Sequence, residues 1–457
     1  MISVNINKGD IFEIVLEDLA FGGDCVGRLE NDMVVFVPGG VPGERVKVKI
    51  TQIKKSFARA ELVDIIESSQ NRIQTDCNRI DNCGGCQLQH LEYQTQLYYK
   101  RKIVQDSLEK IAKIDNVKVN KVIGNEYPWQ YRNKARFAFT RSENDNLQLG
   151  FYREGTNEVV INNNCSILHP LINRIERETL QVINNYDLTL YNEKIDKGLL
   201  RNLLIRVGVC TNQALAVFIT SDEQFPEIDQ IAEKIINKVP ELKGVLQNIK
   251  TKNTKQNLGQ KTRLIRGDNK YIDYIGTVKF EISPESFFQV NTLQTKKLYD
   301  CIMEFGEFTG KEIVVDGYCG IGTISLYIAE KVKKVYGIEL KTKAVKDAQN
   351  NARINNINNC SFIQGKVNKG LSQLKNKGVN SDLIILDPPR RGLSKSLRKT
   401  ILEYSPEKII YISCNPSTLA RDLKQLKSNY QVEVVQPVDM FPQTYHIESI
   451  TILDKNI

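Results

Sequence analysis

The spacing of apolar positions changes along the chain and divides it into stretches of different character. From Ile11 to about Ile66 they fall in short alternating runs, such as Met33-Val34-Val35-Phe36-Val37 and Val46-Lys47-Val48-Lys49-Ile50, broken by Gly22-Gly23 and Pro38-Gly39-Gly40. A period of two between turn signals predicts half-buried strands, and several short ones in succession predict a small antiparallel barrel of the oligonucleotide-binding type. The next stretch is mixed. A cysteine-rich loop at 77–86 precedes a helical pattern over Tyr93–Ile114, and strand-like runs come after it at Arg136–Phe139, Leu203–Val207 and Ala214–Phe218. The Lys/Arg- and Asn/Gln-rich tract between Lys250 and Lys270 reads as a hairpin with its turn. Towards the end, the runs Ile313–Val315, Val335–Ile338, Leu383–Leu386 and Ile409–Ile412 alternate with helical stretches, the rhythm of a parallel α/β sheet. The expected organisation is a barrel over residues 1–66, an α+β unit over 67–280 and an α/β unit over 281–457.

Composition changes this picture little. The chain is 41% hydrophobic and 26% charged, with 63 Lys and Arg against 54 Asp and Glu, a net charge of +9. That excess suits a polyanionic partner, and Lys47, Lys49, Lys54, Lys55 and Arg59 alternate with apolar residues as a cationic barrel face would. A merely solvated face explains them equally well. The first ten residues lack a basic start and an apolar core, and no apolar run reaches the roughly 18–20 residues of a membrane span. A cytoplasmic location is expected. In that reducing compartment clustered cysteines among the ten present are ligands or nucleophiles rather than a disulfide framework.

In a parallel sheet, ligands and chemistry gather at the loops beyond the carboxyl ends of the strands. After the first strand comes Asp316-Gly317-Tyr318-Cys319-Gly320-Ile321-Gly322-Thr323, whose Gly320 and Gly322 allow a nucleotide-like ligand close to the backbone at a helix start. Glu339 ends the second strand, where a carboxylate accepts both ribose hydroxyls. The loop is not the dinucleotide G-x-G-x-x-G, and an acid before the glycines, Asp316, suits the cationic methionine moiety of S-adenosylmethionine better than a pyrophosphate. Asp387-Pro388-Pro389-Arg390 fixes another carboxylate at a strand end.

Ser413-Cys414-Asn415-Pro416 brings a thiol to the same edge. A nucleophilic thiol answers a specific difficulty: uracil C5 is too poor a nucleophile to take a methyl group unless a thiolate first adds at C6. A base must then remove the C5 proton, and Glu448, just before the apolar run Ile450-Thr451-Ile452-Leu453, is the candidate. His446 is available to orient it or the RNA.

These elements, with Phe287-Phe288-Gln289-Val290-Asn291 and the His446-x-Glu448 ending, resemble the RNA uracil-C5 methyltransferases that form 5-methyluridine. The resemblance implies a Rossmann-like class I methyltransferase domain, Cys414 as nucleophile, Glu448 as proton acceptor, and Gln289, Tyr318, Glu339 and Asp387 as contacts to S-adenosylmethionine. Tyr318 stands where many relatives carry Phe. The N-terminal run, through Gly22-Gly23-Asp24 and Val37-Pro38-Gly39-Gly40-Val41-Pro42-Gly43-Glu44, resembles the TRAM-type RNA-binding domain of the family's ribosomal-RNA branch. Cys77-x5-Cys83-Gly84-Gly85-Cys86 with the distant Cys165 supplies four thiolates, and spacing alone leaves zinc and an iron–sulfur cluster open. Resemblance to the ribosomal-RNA branch implies a [4Fe-4S] cluster and 23S ribosomal RNA as substrate, with transfer RNA the alternative; no obligatory protein partner is implied. Far in sequence from the catalytic groups, the cluster is expected to serve folding and RNA docking. Methylation of an exocyclic amine, which needs no thiol, and a non-catalytic iron–sulfur RNA sensor are the competing readings.

Overall fold

The computed structural model describes residues 6–75, 77–80, 82–162, 164–251 and 256–456. Strands β1 (Ile11–Leu19), β2 (Cys25–Arg28), β3 (Val34–Val37), β4 (Arg45–Ile53) and β5 (Phe57–Glu67) close into a barrel in the order β1-β2-β3-β5-β4. On β4, Val46, Val48 and Ile50 point into the core while Arg45, Lys47 and Lys49 face solvent, as the period of two requires. The antiparallel expectation fails at one pair, because β3 and β5 run parallel. The turn at Val41–Glu44 sends β4 back to β1 rather than to β3, so β5 fills the gap beside β3 in the same direction. The expected cationic face is also largely neutralised: Lys47 lies 3.9 Å from Glu13, Lys49 3.5 Å from Glu61, and Arg59 2.8 Å from Asp24.

Helix α1 (Tyr93–Ser107) continues as one π-type turn to Ala112 and stops where Lys113 takes φ +54°. The short β6 (Lys118–Val119) then leaves for the edge of a distant sheet. Next come β7 (Lys134–Arg141), β8 (Leu147–Tyr152), β9 (Val159–Ile161), α2 (Pro170–Ile183), β10 (Leu200–Val207), β11 (Ala214–Thr220), α3 (Ile228–Lys238), β12 (Leu242–Ile249) and β13 (Lys261–Gly267). The strands form one sheet in the order β13-β12-β11-β10-β7-β8-β9. Helices α2 and α3 cover one face through Ile172, Ile175, Ile231 and Ile235 against Phe137, Leu203 and Phe218. Leu204, Leu215, Val217 and Leu246 on the other face pack against Tyr271, Phe280, Leu298 and Ile302. Covered on both sides, β10 and β11 are buried throughout, Arg201, Asn202 and Arg206 of β10 included. The hairpin expected at 250–270 exists as β12 and β13; residues 252–255 of its turn lie outside those described.

The remaining chain runs through the hairpin β14 (Tyr271–Ile275) and β15 (Val278–Ile282), then α4 (Thr292–Gly306), β16 (Ile313–Gly317), α5 (Thr323–Ile328), β17 (Lys334–Glu339), α6 (Thr342–Ile354), β18 (Cys360–Gln364) and α7 (Val367–Asn376). It ends with β19 (Leu383–Leu386), α8 (Lys395–Tyr404), β20 (Lys408–Ser413), α9 (Pro416–Leu426), β21 (Tyr430–Val438) and β22 (Glu448–Lys455). These build a sheet in the order β18-β17-β16-β19-β20-β22-β21-β6. Strand order reverses between β16 and β19, the crevice where such sheets take ligands. β22 inserts antiparallel between β20 and β21. Among the described residues no helix is long and apolar enough to cross a membrane.

Helix α1 is bolted to this sheet by a fully buried ion pair, Lys100 Nζ to Asp439 Oδ1 at 2.7 Å, with the Tyr93 hydroxyl donating to Asp439 Oδ2 at 2.9 Å. Removing one partner strands a buried charge. Lys100→Met is therefore expected to cost about 3–5 kcal/mol in urea unfolding, and adding Asp439→Asn to recover most of it; a double variant no more stable than the single one would contradict this.

Candidate active site

At the carboxyl ends of β16, β17, β19 and β20 lies a cleft of about 1020 Å³ whose lining includes Gln289, Tyr318, Glu339, Asp387, Cys414 and Glu448. The six residues that the resemblance implies outside the cysteine cluster, and His446 with them, thus share one cavity. The loop after β16 turns sharply: Tyr318 takes φ +69°, Gly320 +57° and Gly322 +84°. The Tyr318 and Cys319 amides donate to the Ile338 carbonyl, and a Cβ on Gly322 would meet Phe362 at 3.1 Å. Glu339 caps this turn from β17, accepting from the Gly320 amide at 3.3 Å and the Lys341 amide at 2.8 Å. Asp316 does not reach the cleft wall as its place before the glycines suggested. It is fully buried, its Oδ2 accepting from the Ser325 amide at 3.0 Å and hydroxyl at 2.5 Å, so it anchors the start of α5 from below. The acids that line the cavity include Glu339 and Asp387, with Glu285, Asp347 and Glu448.

The pairing of β20 with β22 determines the other end of the cleft. Its ladder runs from Lys408↔Asp454 to Ser413↔Ser449, so one step further Cys414 stands opposite Glu448. Residues directly opposite in an antiparallel pair project to the same face. Two side chains 34 positions apart in sequence are therefore brought together by register alone. Arg390 reaches across, its Nη2 3.1 Å from His446 Nε2. His446 is held well below its usual range, at about 4, by burial and then by Arg390, Lys100 and Arg132. A neutral ring whose Nε2 accepts from Arg390 carries its proton on Nδ1.

Burial dominates the other titratable groups. It pushes the Cys414 thiol up to about 12, with Glu448 and Asp387 adding to the rise and Arg390 opposing it. Burial likewise raises Asp387 to about 7 and, together with the Asp387 charge, lifts Glu448 well above the carboxylate range. One Glu448 oxygen, Oε2, is buried without a hydrogen-bond partner. The free cleft holds its reactive groups largely uncharged.

The cysteine segment lies against the central sheet. Arg79 donates to the Ile161 carbonyl, Arg153 Nη2 donates to Asn82 Oδ1 at 2.7 Å, and Asn173 Nδ2 to the Cys165 carbonyl at 3.0 Å. Cys77, Cys83, Cys86 and Cys165 are close enough to influence one another's ionisation: beyond the rise that burial causes, Cys86 is raised by each of the other three. Among the described residues no group of three or more His, Cys, Asp or Glu is set to hold a metal ion as the side chains stand.

Residues 92–456 match the family described as tRNA (uracil-5-)-methyltransferase. The chain belongs to that family. Residues 7–63 match the TRAM domain, the barrel. An RNA methyltransferase of Caldanaerobacter subterraneus subsp. tengcongensis is 43% identical over 451 residues, covering 98% of this chain and 99% of that one. One of Halalkalibacterium halodurans is 41% identical over 450 residues, covering 98% of each. Among solved structures, Pyrococcus abyssi tRNA (uracil-54, C5)-methyltransferase in complex with S-adenosyl-L-homocysteine superposes with a TM-score of 0.77 at 26% identity, covering 96% of this chain and 99% of that one. As a member of the uracil-5-methyltransferase family, the protein is an S-adenosylmethionine-dependent enzyme acting on RNA. The barrel does not separate RNA classes, since a transfer-RNA enzyme matches nearly the whole chain.

Sequence reasoning missed the buried polar residues behind the segment that leads to Glu448, namely Gln96, Lys100, Asp439 and Gln443, because nothing in a linear pattern marks a buried amide or ammonium. The buried acids generate a prediction of ligand preference in this uracil-5-methyltransferase. Asp316 and Asp387 have folded-state values near 7, above the unfolded ones, so the stability they contribute is complete below about pH 4 and lost as pH rises through about 7. A cation in the cleft offsets that loss. S-adenosylmethionine, whose sulfonium is positive, should gain about tenfold in affinity relative to the neutral thioether S-adenosylhomocysteine between about pH 5.5 and pH 8. A ratio independent of pH in titration calorimetry would rule out this coupling.

Proposed function

We propose that this enzyme forms 5-methyluridine in 23S ribosomal RNA through a covalent bond between Cys414 and uracil C6. The observation that carries the covalent route is the β20–β22 register, which sets a thiol and a carboxylate side by side in the cofactor cleft. Exocyclic-amine methylation has no use for that pair, and a non-catalytic sensor has no use for either group. Gln289, Tyr318, Glu339 and Asp387 hold S-adenosylmethionine, which supplies the electrophilic methyl group. Cys414 adds to C6 and makes C5 nucleophilic, Glu448 removes the C5 proton after transfer, and elimination returns the thiolate. The neutral His446, fixed by Arg390, shapes the base-binding end of the cleft. The target uridine leaves its stack to reach it.

Recognition of the strand is supported by the cations at the start of β7. The charges acting most on Lys134 are all positive, Arg206, Arg132 and Arg136, and with burial they lower it to about 7. Arg132, Lys134 and Arg136 stay partly exposed at alternate positions, a row of cations that suits phosphates, while Arg206 is buried on the Ser283, Pro284 and Ser286 carbonyls. Transfer RNA is the second reading, favoured by the Pyrococcus abyssi relative, whose substrate is a transfer RNA.

For the four cysteines a [4Fe-4S] cluster is the reading that suits their chemistry. The donor set is four thiols so placed that Cys77, Cys83 and Cys165 each raise the proton affinity of Cys86, a repulsion that bound iron relieves. A single zinc ion would need all four sulfurs about 2.3 Å from one point. Anaerobically purified protein should contain about four irons per chain; stoichiometric zinc without iron would refute the assignment.

The function is tested by mass spectrometry of ribosomal and transfer RNA from cells lacking the protein. A missing 5-methyluridine in 23S ribosomal RNA is expected, and its loss from transfer RNA instead would select the second reading. Mechanistically, Cys414→Ala should abolish methylation and all covalent attachment. Glu448→Gln should still add and methylate, then stall as a methylated, protein-linked RNA stable on denaturing gels. Normal turnover by Glu448→Gln, or C5 methylation by Cys414→Ala, would sink the mechanism.

A further inference from the structure

Gln443 lies five residues before the proposed base and has a backbone few side chains adopt. Its φ is +68°, in the left-handed region, yet it is not glycine and is only 2% exposed. Such a conformation costs of order 1–3 kcal/mol and persists only where its surroundings impose it. Here they do. The Gln443 carbonyl accepts from the Gln87 amide at 3.1 Å and the Leu88 amide at 3.0 Å. Its amide donates to Gln96 Oε1 at 3.2 Å, and its Oε1 accepts from Gln96 Nε2 at 2.9 Å.

Gln96, fully buried on α1, also donates to the Leu88 and Leu91 carbonyls at 3.0 and 2.8 Å. One amide side chain therefore ties the exit of the cysteine segment to the catalytic segment, and Gln87 comes directly after Cys86 in sequence. The barrel adds a third support: Phe21 meets Tyr445 edge-on at 5.3 Å, and Tyr445 lies 4.1 Å from the His446 ring. Gly23 is required at this junction, since a Cβ there would come within 2.8 Å of Gln87. Beyond Gln443 the chain is short and stiff, with the Thr444 hydroxyl donating to the Phe441 carbonyl at 2.8 Å and accepting from the His446 amide at 3.2 Å.

We propose that Gln443 is a positioning residue for Glu448: the cysteine segment, through Gln87, Leu88 and Gln96, imposes the left-handed turn at 443 that aims residues 444–448 at Cys414. The cysteine segment then governs proton removal from C5 as well as the docking of RNA. This rests on the reading that Glu448 takes that proton.

The role predicts a kinetic signature that general loss of structure does not. In full-length Gln96→Leu and Gln443→Val enzymes, the rate of Cys414 adduct formation with 5-fluorouridine RNA should stay within about threefold of wild type, the β-branched side chain being the one that resists the left-handed turn. That reaction adds the thiolate and transfers the methyl group without needing the base. With ordinary uridine RNA the same enzymes should accumulate the methylated, protein-linked RNA and release product about 100-fold more slowly, the scale of loss expected when a catalytic group moves by about 1 Å. Gln443→Gly, which adopts the turn without strain, keeps the backbone hydrogen bonds and loses only the side-chain one, should fall in between; it also serves if the larger changes prevent folding. Glu448→Gln is run alongside. If it accumulates adduct and the Gln96 and Gln443 variants do not, the positioning role is wrong. An equal slowing of 5-fluorouridine trapping and of product release in those variants also overturns it. If Glu448→Gln itself fails to accumulate adduct, the reading of Glu448 as base fails instead.

Discussion

The antiparallel entry of β22 between β20 and β21 is the constraint on which the proposed chemistry depends. It delivers a carboxylate from near the end of the chain to the thiol at the tip of β20, and it tolerates no slip. Moving the register by one residue would turn Glu448 to the opposite face of the sheet. The middle of the ladder cannot resist such a slip, because Ile409, Ile410, Ile412, Ile450, Ile452 and Leu453 are all buried and the apolar pattern looks alike on both faces. Register is marked at the ends instead. Far from the site, Lys408 lies 3.8 Å from Asp454 and Lys455 3.0 Å from Glu407. Near it, Gln443 and Asp439 are pinned by the N-terminal half of the chain. Exposed ion pairs of this kind contribute little to stability, yet they distinguish one alignment from its neighbours.

A second theme is that the free cleft keeps its charge low. Burial neutralises Cys414, Glu448 and, in part, Asp387, and keeps His446 unprotonated. Such groups are inert until the field changes, and both substrates carry charge that can change it: one a positive sulfonium, the other a row of phosphates. Reactivity is thereby tied to occupancy. A thiol ionised in the open cleft would be exposed to oxidation between turnovers.

Much of this was legible from the residues. The barrel and the parallel sheet were readable because their strands carry clean periods, and the cleft was readable because parallel sheets place their chemistry at one edge. What escaped has physical causes. β6 is two residues long, too short for any period. The direction of β5 depends on the path of the turn at Val41–Glu44 rather than on composition. Lys47 and Lys49 read as free charge because the carboxylates that face them come from β1 and β5. Asp316 stood in a position that ligands favour, yet its carboxylate turned inward to the Ser325 amide. Nothing in the helical pattern of α1 marked Gln96 and Lys100 as buried, since their partners lie more than 330 positions away.

That separation also bears on how the protein is made. Lys100 and Asp439 are 339 positions apart, and Asn120 and Gln436 beside β6 are 316 apart. A ribosome adding about 5–20 residues per second needs roughly a quarter of a minute to over a minute to cover such a distance. Through that interval α1 carries an ammonium with no counter-ion, and the β6 segment waits for the sheet whose edge it will cover. The N-terminal half of α1 cannot bury Lys100 until the last strands emerge, so the emerging chain must keep it in water while the barrel and central sheet are already free to close. Closure of the segment around Asp439 is thereby deferred until β21 and β22 have been made, and the cleft can form only on a chain translated through those strands.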